Sequence, residues 1–271
     1  MTLEPIAVVR ARLRQDAVRR KISPRDVDLL LSDLLQRPLS YLFAHGEESI
    51  DPAPLEALLV RRFSGEPLQY IRGRTEFFGR EFEVDDRVLI PRPETEILVE
   101  TAIERIPLGA TVVDVGTGSG CIAVTIALER TDVRVIAVDK SIAALAQAKR
   151  NRDRLGARVS LIASDLLTAI RHAEFVVSNP PYIPAADVSH LATEVRDHEP
   201  WLALTPGPAG SEAIKGLLAQ AGGSPLIFEM GYGQEQEVRN LARTAGYDVD
   251  RVVPDLAGIP RVVVLSAHGR K

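Results

Sequence analysis

Thr111-Val112-Val113-Asp114-Val115-Gly116-Thr117-Gly118-Ser119-Gly120 is a β-branched run that breaks into alternating glycines, with Cys121, Ala123, Ile126 and Ala127 following at helical spacing. A short apolar run bounded by glycine reads as a buried strand, and a strand, a tight turn and a helix in that order open an α/β sheet. The glycines let the backbone turn sharply and approach a ligand, and the start of the helix offers free N–H groups to a carboxylate or phosphate. The Gly-x-Gly-x-Gly spacing lacks the third glycine placement of the dinucleotide fingerprint. Asp139 closes the next strand, Arg134 to Val138, about twenty residues beyond the turn, where a carboxylate accepts from ribose hydroxyls. Gly116, Thr117, Gly118, Ser119, Gly120 and Asp139 therefore suit an adenosyl ligand without a pyrophosphate, and S-adenosylmethionine fits better than NAD.

Downstream, strand and helix alternate. A helix from Ile142 to Arg150 leads to a strand at Val159 to Ala163, read as ending at Asp165. Further strands are expected at Glu174 to Ser178 and Pro225 to Glu229, then a helix from Gln234 to Ala245 stopped by Gly246. Asp248 to Val253 and Pro260 to Leu265 form two closing strands with no helix between them, so one runs antiparallel to its neighbours. The expectation is a doubly wound, mostly parallel α/β sheet over 97–271. Asp165 is a candidate acceptor for an adenine amino group, or an ordinary turn or helix cap, and Leu166 is a candidate wall for the ring. Asp114 is expected near the turn and the cofactor's charged amino-acid end. Glu229 reads as structural rather than catalytic.

Phe175-Val176-Val177 runs into Ser178-Asn179-Pro180-Pro181-Tyr182 at the carboxyl end of a strand, where open sheets bind ligands. The prolines remove two donors and force extended backbone before each ring. Left behind are two carbonyl acceptors, the side chain of Asn179 and the backbone of Pro180, beside the flat face of Tyr182. That set suits a planar NH2 group. Methylation of an amide or exocyclic amine needs such a clamp, because holding both N–H bonds turns the nitrogen lone pair toward an electrophilic methyl without a strong base. The same residues also fit a Pro-Pro turn with an Asn cap and a packed tyrosine.

Upstream, residues 1–75 read as three short amphipathic helices. Ile6, Val9 and Leu13 lie on the first; the second is capped by Ser23 and carries Val27, Leu30, Leu31, Leu34 and Leu35; the third runs from Asp51 through Leu55, Leu58, Leu59 and Phe63 to Gly65. This bundle is either a structural cap or a surface that recruits a macromolecular substrate. Residues 76–96 read as a hairpin and linker: Phe77, Phe78, Phe82 and Val84 surround Gly79, and Leu89 to Glu96 is too rich in proline for a central strand.

Composition narrows the classes. The chain has 271 residues, 45% of them hydrophobic, a formal net charge of -4 and one cysteine, Cys121. No apolar run reaches a membrane span, and a lone cysteine excludes an internal disulfide framework, which points to a reducing cytoplasm. The arginines from Arg10 to Arg20 are faintly like a transit peptide, but Glu4, Asp16 and the helical continuation read as the start of the fold. The acidic balance disfavours tight phosphate-backbone binding. The five histidines show no metal-ligand spacing, so no metal is expected. His198, within Arg196-Asp197-His198-Glu199-Pro200, reads as part of a structural or substrate-side loop, since an amide nitrogen needs no base before attack.

Taken together, the chain resembles the HemK/PrmC group of peptide chain release factor N5-glutamine methyltransferases. The residues that carry the resemblance are Gly65 to Tyr70, Phe77 to Gly79, Ile90 to Glu96, Val113 to Gly120, Ser178 to Pro184 and Glu194 to Pro200. Asn-Pro-Pro-Tyr alone is shared with adenine-N6 DNA methyltransferases; the proline-rich stretch and helical amino-terminal region are far more specific. The resemblance implies a class I, Rossmann-like methyltransferase domain joined by a β-hairpin linker to an N-terminal helical substrate-recognition domain. It implies S-adenosylmethionine as donor, S-adenosylhomocysteine as product, and the glutamine of the Gly-Gly-Gln loop of class I release factors as acceptor. By position, Gly116 to Gly120 and Asp139 bind the cofactor, Asn179 touches cofactor and substrate, and Pro180, Pro181 and Tyr182 complete the glutamine pocket. Leu166 stands where many relatives place an aromatic residue against adenine. No direct requirement for nucleic acid is expected, and no membrane. The rival readings are glutamine methylation of ribosomal protein L3, adenine methylation of DNA, and a silent binder of cofactor or release factor.

Overall fold

The computed structural model describes residues 3–268, which divide into two compact units. One runs to Gly73 and takes in Thr193–His198; the other comprises Arg74–Ala192 and the chain from Glu199 onward.

In the first unit a two-residue strand pair, β1 (Glu4–Pro5) with β2 (Ser49–Ile50), accompanies helices α1 (Ile6–Arg19), α2 (Pro24–Leu35), α3 (Leu39–Ala44), α4 (Ala53–Phe63) and α5 (Leu68–Arg72). The three expected helices are thus joined by two shorter ones, each opening directly after a proline, Pro38 or Pro67. Ser23 caps α2 as its sequence suggests, accepting from the Arg25 N–H. Ile6, Val9, Leu13, Val27, Leu30, Leu31, Leu42, Leu55 and Leu59 are buried together as its core. Arg62 on α4 is buried and holds Asp26 of α2 at 2.7 Å and Glu194 at 2.7 Å. Glu194 lies in a short helix, α9 (Thr193–His198), so this ion cluster ties the late segment to the helical unit.

The second unit opens with the hairpin of β3 (Arg74–Phe77) and β4 (Arg80–Glu83). Helix α6 (Glu94–Arg105) begins inside the expected linker, because Pro93 sits at its N-cap, where a missing N–H costs nothing. Then follow β5 (Thr111–Val115), α7 (Cys121–Glu129), β6 (Arg134–Asp139), α8 (Ile142–Leu155), β7 (Val159–Ala163) and β8 (Phe175–Ser178). After α10 (Trp201–Leu204) and α11 (Glu212–Gln220) come β9 (Leu226–Glu229), α12 (Glu235–Thr244), β10 (Tyr247–Pro254) and β11 (Pro260–Ala267). Helix α8 passes the expected Arg150 and ends at Gly156, which takes the left-handed cap.

The sheet order is β10-β11-β9-β8-β5-β6-β7. Pairings from β9 through β7 are parallel, and β11 is antiparallel to both β9 and β10. The expected α/β sheet with one reversed closing strand is therefore the one observed. The chain builds β5, β6 and β7 outward in one direction and returns to lay β8 on the other side of β5. That reversal makes the β5/β8 junction the topological switch point, the place where open α/β sheets bind their ligands. One face of the sheet buries Val112, Val124, Ile126, Val135 and Val177, and the other buries Val113, Val138, Val176, Ile214 and Phe228.

Candidate active site

The turn after β5 and the corner after β8 meet at that junction. Val115 pairs with Ser178, and the buried Ser178 hydroxyl donates to the Val115 carbonyl at 2.7 Å, locking the two strand ends together. Gly116 and Thr117 both donate backbone N–H to the Val138 carbonyl, at 2.9 and 3.0 Å, which pins the glycine turn across the end of β6. Gly116, Gly118 and Gly120 all have φ between 55° and 82°, the left-handed region where glycine is unstrained. No protein atom lies within 4 Å of where a Cβ would stand on Gly116 or Gly118, so a ligand can approach the bare backbone there. Gly120 differs: its missing Cβ makes room for Ala148 on α8.

Asp114 is buried beneath this turn. Its Oδ2 accepts from Thr117 Oγ1 at 2.6 Å and from the Ala123 N–H at 3.2 Å, while its Oδ1 has no partner. Burial pushes its pKa up to about 7, against the pull of those two donors. Asp139 at the end of β6 accepts from the Gly118 N–H at 2.9 Å and the Ser141 N–H at 2.8 Å. Burial raises its pKa, and those backbone donors favour the charged form. A carboxylate offers about four lone-pair sites, so both oxygens can still accept hydroxyls. Asp165 lies beyond the end of β7, which stops at Ala163, and its exposed carboxylate accepts from Lys140 at 2.9 Å. Leu166 next to it is part-buried with φ 51°, and a Cβ at Gly216 on α11 would strike its side chain.

At the corner, Asn179 Nδ2 donates to Thr95 Oγ1 at 3.1 Å, and Thr95 Oγ1 donates to Glu229 Oε2 at 2.7 Å. The Tyr182 hydroxyl donates to the other oxygen, Glu229 Oε1, at 3.2 Å. Among the described residues neither Asn179 Oδ1 nor the Pro180 carbonyl accepts a hydrogen bond, so the two acceptors read from the sequence remain available. Tyr182 is braced from behind: its carbonyl accepts from Gln234 Nε2 at 3.0 Å, and Gly231 leaves room for its ring. Burial, then the Glu229 carboxylate, raises the Tyr182 pKa, which keeps the phenol protonated as a donor. Burial likewise raises that of Glu229, opposed by Thr95 and Tyr182.

Gly116 to Gly120, Asp139 and Asn179 thus gather at one end of the parallel strands, with Pro180, Pro181 and Tyr182 beside them. What the sequence reading did not find is Thr95 and the part played by the proline-rich stretch. Arg92 donates to both oxygens of buried Glu199, at 2.7 and 2.8 Å, Thr95 joins Asn179 to Glu229, and Glu96 accepts the Phe78 N–H at 2.8 Å. The linker is a clasp around the site. Its signal in the sequence was the density of prolines and polar residues from Ile90 to Glu96. Among the described residues no cluster of His, Cys, Asp and Glu has the makings of a metal site, and no helix is long and apolar enough to cross a membrane.

Residues 93–196 match the family model described as the Methyltransferase small domain, and residues 6–73 match the PrmC N-terminal domain. A release factor glutamine methyltransferase from Koribacter versatilis is 43% identical over 92% of this chain and 92% of its own length. The one from Geobacter sulfurreducens is 40% identical over 88% of this chain and 87% of its own length. Among solved structures, a methyltransferase from Pyrococcus furiosus superposes with a TM-score of 0.54 at 16% identity, covering 80% of this chain and all of the other, a likeness of fold.

Proposed function

The chain belongs to the release factor glutamine methyltransferase family, and from that premise we propose that it methylates the side-chain amide nitrogen, N5, of the glutamine in the Gly-Gly-Gln loop of class I peptide chain release factors, in the cytoplasm. The methyl donor is S-adenosylmethionine, which when bound supplies an electrophilic methyl group on a sulfonium. The residues present fit that group. Bare backbone at Gly116 and Gly118 leaves space for an amino-acid tail, and buried Asp139 offers its carboxylate to ribose hydroxyls. Asp165 and Leu166 stand one strand further along as candidates for the adenine end.

The observation that carries the reading is the pair of unpaired acceptors at the switch point, Asn179 Oδ1 and the Pro180 carbonyl. An amide nitrogen is a poor nucleophile because its lone pair is delocalised. Two acceptors on its two N–H bonds fix the NH2 group and gather negative potential at nitrogen. Tyr182 and Pro181 pack against the planar group and exclude water, which strengthens both hydrogen bonds. No side chain is asked to remove a proton before attack; transfer would form the N–C bond as the donor's S–CH3 bond breaks, and the surplus proton would then pass to solvent. The helical unit, with its match to a PrmC N-terminal domain, is assigned to recruiting the release factor.

Asn179→Ala tests the assignment. Losing one of the two acceptors is expected to lower turnover by about 10²-fold, roughly 3 kcal/mol, as for removal of one key polar contact in a preorganised site. Near-normal turnover in a variant that binds cofactor would remove Asn179 from the mechanism.

A further inference from the structure

The amide of Asn179 is useful only if its oxygen, and not its NH2, faces the acceptor. Nothing in asparagine itself sets that choice, because the two ends of the amide have the same shape. The choice is made by the groups behind it. Glu229 and Thr95 are each only 2% exposed, and their hydrogen bonds span 134 residues of chain between them and 84 between Thr95 and Asn179. Both oxygens of Glu229 are met by hydroxyls, one from Thr95 and one from Tyr182. Against the push of burial, Thr95, Tyr182 and the charge of Arg261 favour the ionised form of Glu229, which can only accept, so each hydroxyl spends its single proton on it. Thr95 Oγ1 is then left with lone pairs alone on the side of Asn179. Only the NH2 end of the asparagine amide can satisfy it, and Oδ1 is turned away.

Resting on glutamine methylation as the reaction, we propose that Thr95 and Glu229 are positioning residues whose one-way chain of donors fixes the Asn179 amide and so sets the preference for glutamine over glutamate. With Oδ1 outward beside the Pro180 carbonyl, the corner presents two acceptors. A glutamine NH2 satisfies both. A glutamate carboxylate, which has no proton to offer, is repelled by both and leaves them unpaired, the kind of mismatch that discriminates most strongly between isosteric substrates. Released from Thr95, the amide can rotate and offer its NH2 to a carboxylate.

The test compares wild type, Thr95→Val, Thr95→Ser and Glu229→Gln. Turnover is measured on a release factor, and inhibition is measured with the same release factor carrying glutamate in place of the Gly-Gly-Gln glutamine. Valine keeps the shape of threonine but neither donates nor accepts. Its kcat is expected to fall about tenfold to a hundredfold, with the cofactor Kd and the KM for release factor within about twofold of wild type. The glutamate form is expected to inhibit Thr95→Val about tenfold more tightly than it inhibits wild type. Serine, which restores the hydroxyl, should recover both values. Glu229→Gln, whose NH2 can donate to Thr95, should shift both in the direction of valine. A purely packing role for Thr95 would leave glutamine-to-glutamate discrimination unchanged. Melting curves separate loss of fold from loss of direction; if valine or glutamine melts early, the serine variant decides by the same two readouts. Unchanged discrimination in a folded Thr95→Val or Glu229→Gln, or failure of serine to restore turnover, overturns the chain of donors while leaving the proposed reaction standing. Absence of methyl transfer by wild type overturns the reaction, and the positioning role falls with it.

Discussion

Gly120→Ala probes how tightly the glycine turn is set against its neighbours. The residue has φ 82°, and a built Cβ lies 3.1 Å from the Ala148 Cβ and 3.2 Å from the Ala148 Cα on α8. Two costs follow. A side chain held in the left-handed region costs about 1–2 kcal/mol. Forcing apart two well-packed segments by one methyl costs about 1–3 kcal/mol. Together they amount to about 2–5 kcal/mol. Gly156→Ala is the internal control, since Gly156 has φ 70° but nothing within 4 Å of its missing Cβ. It should show the conformational cost alone, about 1–2 kcal/mol. For chains of this size 1 kcal/mol moves Tm by roughly 2–4 °C, so Gly120→Ala should melt roughly 4–20 °C below wild type and clearly below Gly156→Ala. Moving α7 away from α8 also disturbs the glycine turn, whose Gly118 N–H holds the Asp139 carboxylate offered to the cofactor's ribose. The Gly120 variant should accordingly gain less thermal protection from added S-adenosylmethionine than the Gly156 variant. Thermal melts with and without cofactor read both effects. Equal melting of the two variants would mean that the close approach of Ala148 carries no cost.

Three further outcomes are expected. Asp139→Ala should weaken cofactor binding by about 10²-fold in calorimetry, since hydrogen bonds to a charged group contribute about 1.5–3 kcal/mol each; unchanged affinity would move the ribose elsewhere. Asp114, ordinarily near 3.8 and raised to about 7 by burial, binds its proton more tightly folded than unfolded. Its contribution to stability is full below pH 4 and is lost as pH rises through about 7, so Tm of wild type should fall relative to Asp114→Asn across that window, and parallel curves would contradict the shift. Arg62→Leu leaves buried Asp26 without its cation and should destabilise the helical unit by about 3–5 kcal/mol in denaturant melts; a cost under 1 kcal/mol would mean that the cluster is relieved by solvent.

The parallel sheet was legible because its determinants are local. β-branched runs and the glycines that require positive φ lie within a few residues of each other, each carboxylate stands at or just past the end of its own strand, and the closing pair announced its reversal by lacking a helix. Short helices were harder. Leu39–Ala44 and Leu68–Arg72 are too brief to show a period, and Glu212–Gln220 carries Gly216 in its middle, which lowers helix propensity while making room for Leu166. Thr193–His198 joins the helical unit through Glu194 and Arg62, residues 132 apart, and no local pattern announces such a contact. The same limit hid Thr95. Read locally, the stretch around it is a linker broken by Pro91 and Pro93; folded, Pro93 starts a helix whose first turn delivers Thr95 between Asn179 and Glu229. Glu229 was read as structural, and its bonds place it behind the corner, touching Thr95 and Tyr182.

Glutamine methylation is decided by incubating the protein with methyl-labelled S-adenosylmethionine and a purified class I release factor, with ribosomal protein L3 in a parallel reaction, and locating the label by fragmentation mass spectrometry. A single methyl group on the side-chain amide of the Gly-Gly-Gln glutamine is the predicted result. Label on ribosomal protein L3 alone would contradict the substrate while keeping the clamp, and no label on either protein would contradict glutamine methylation itself.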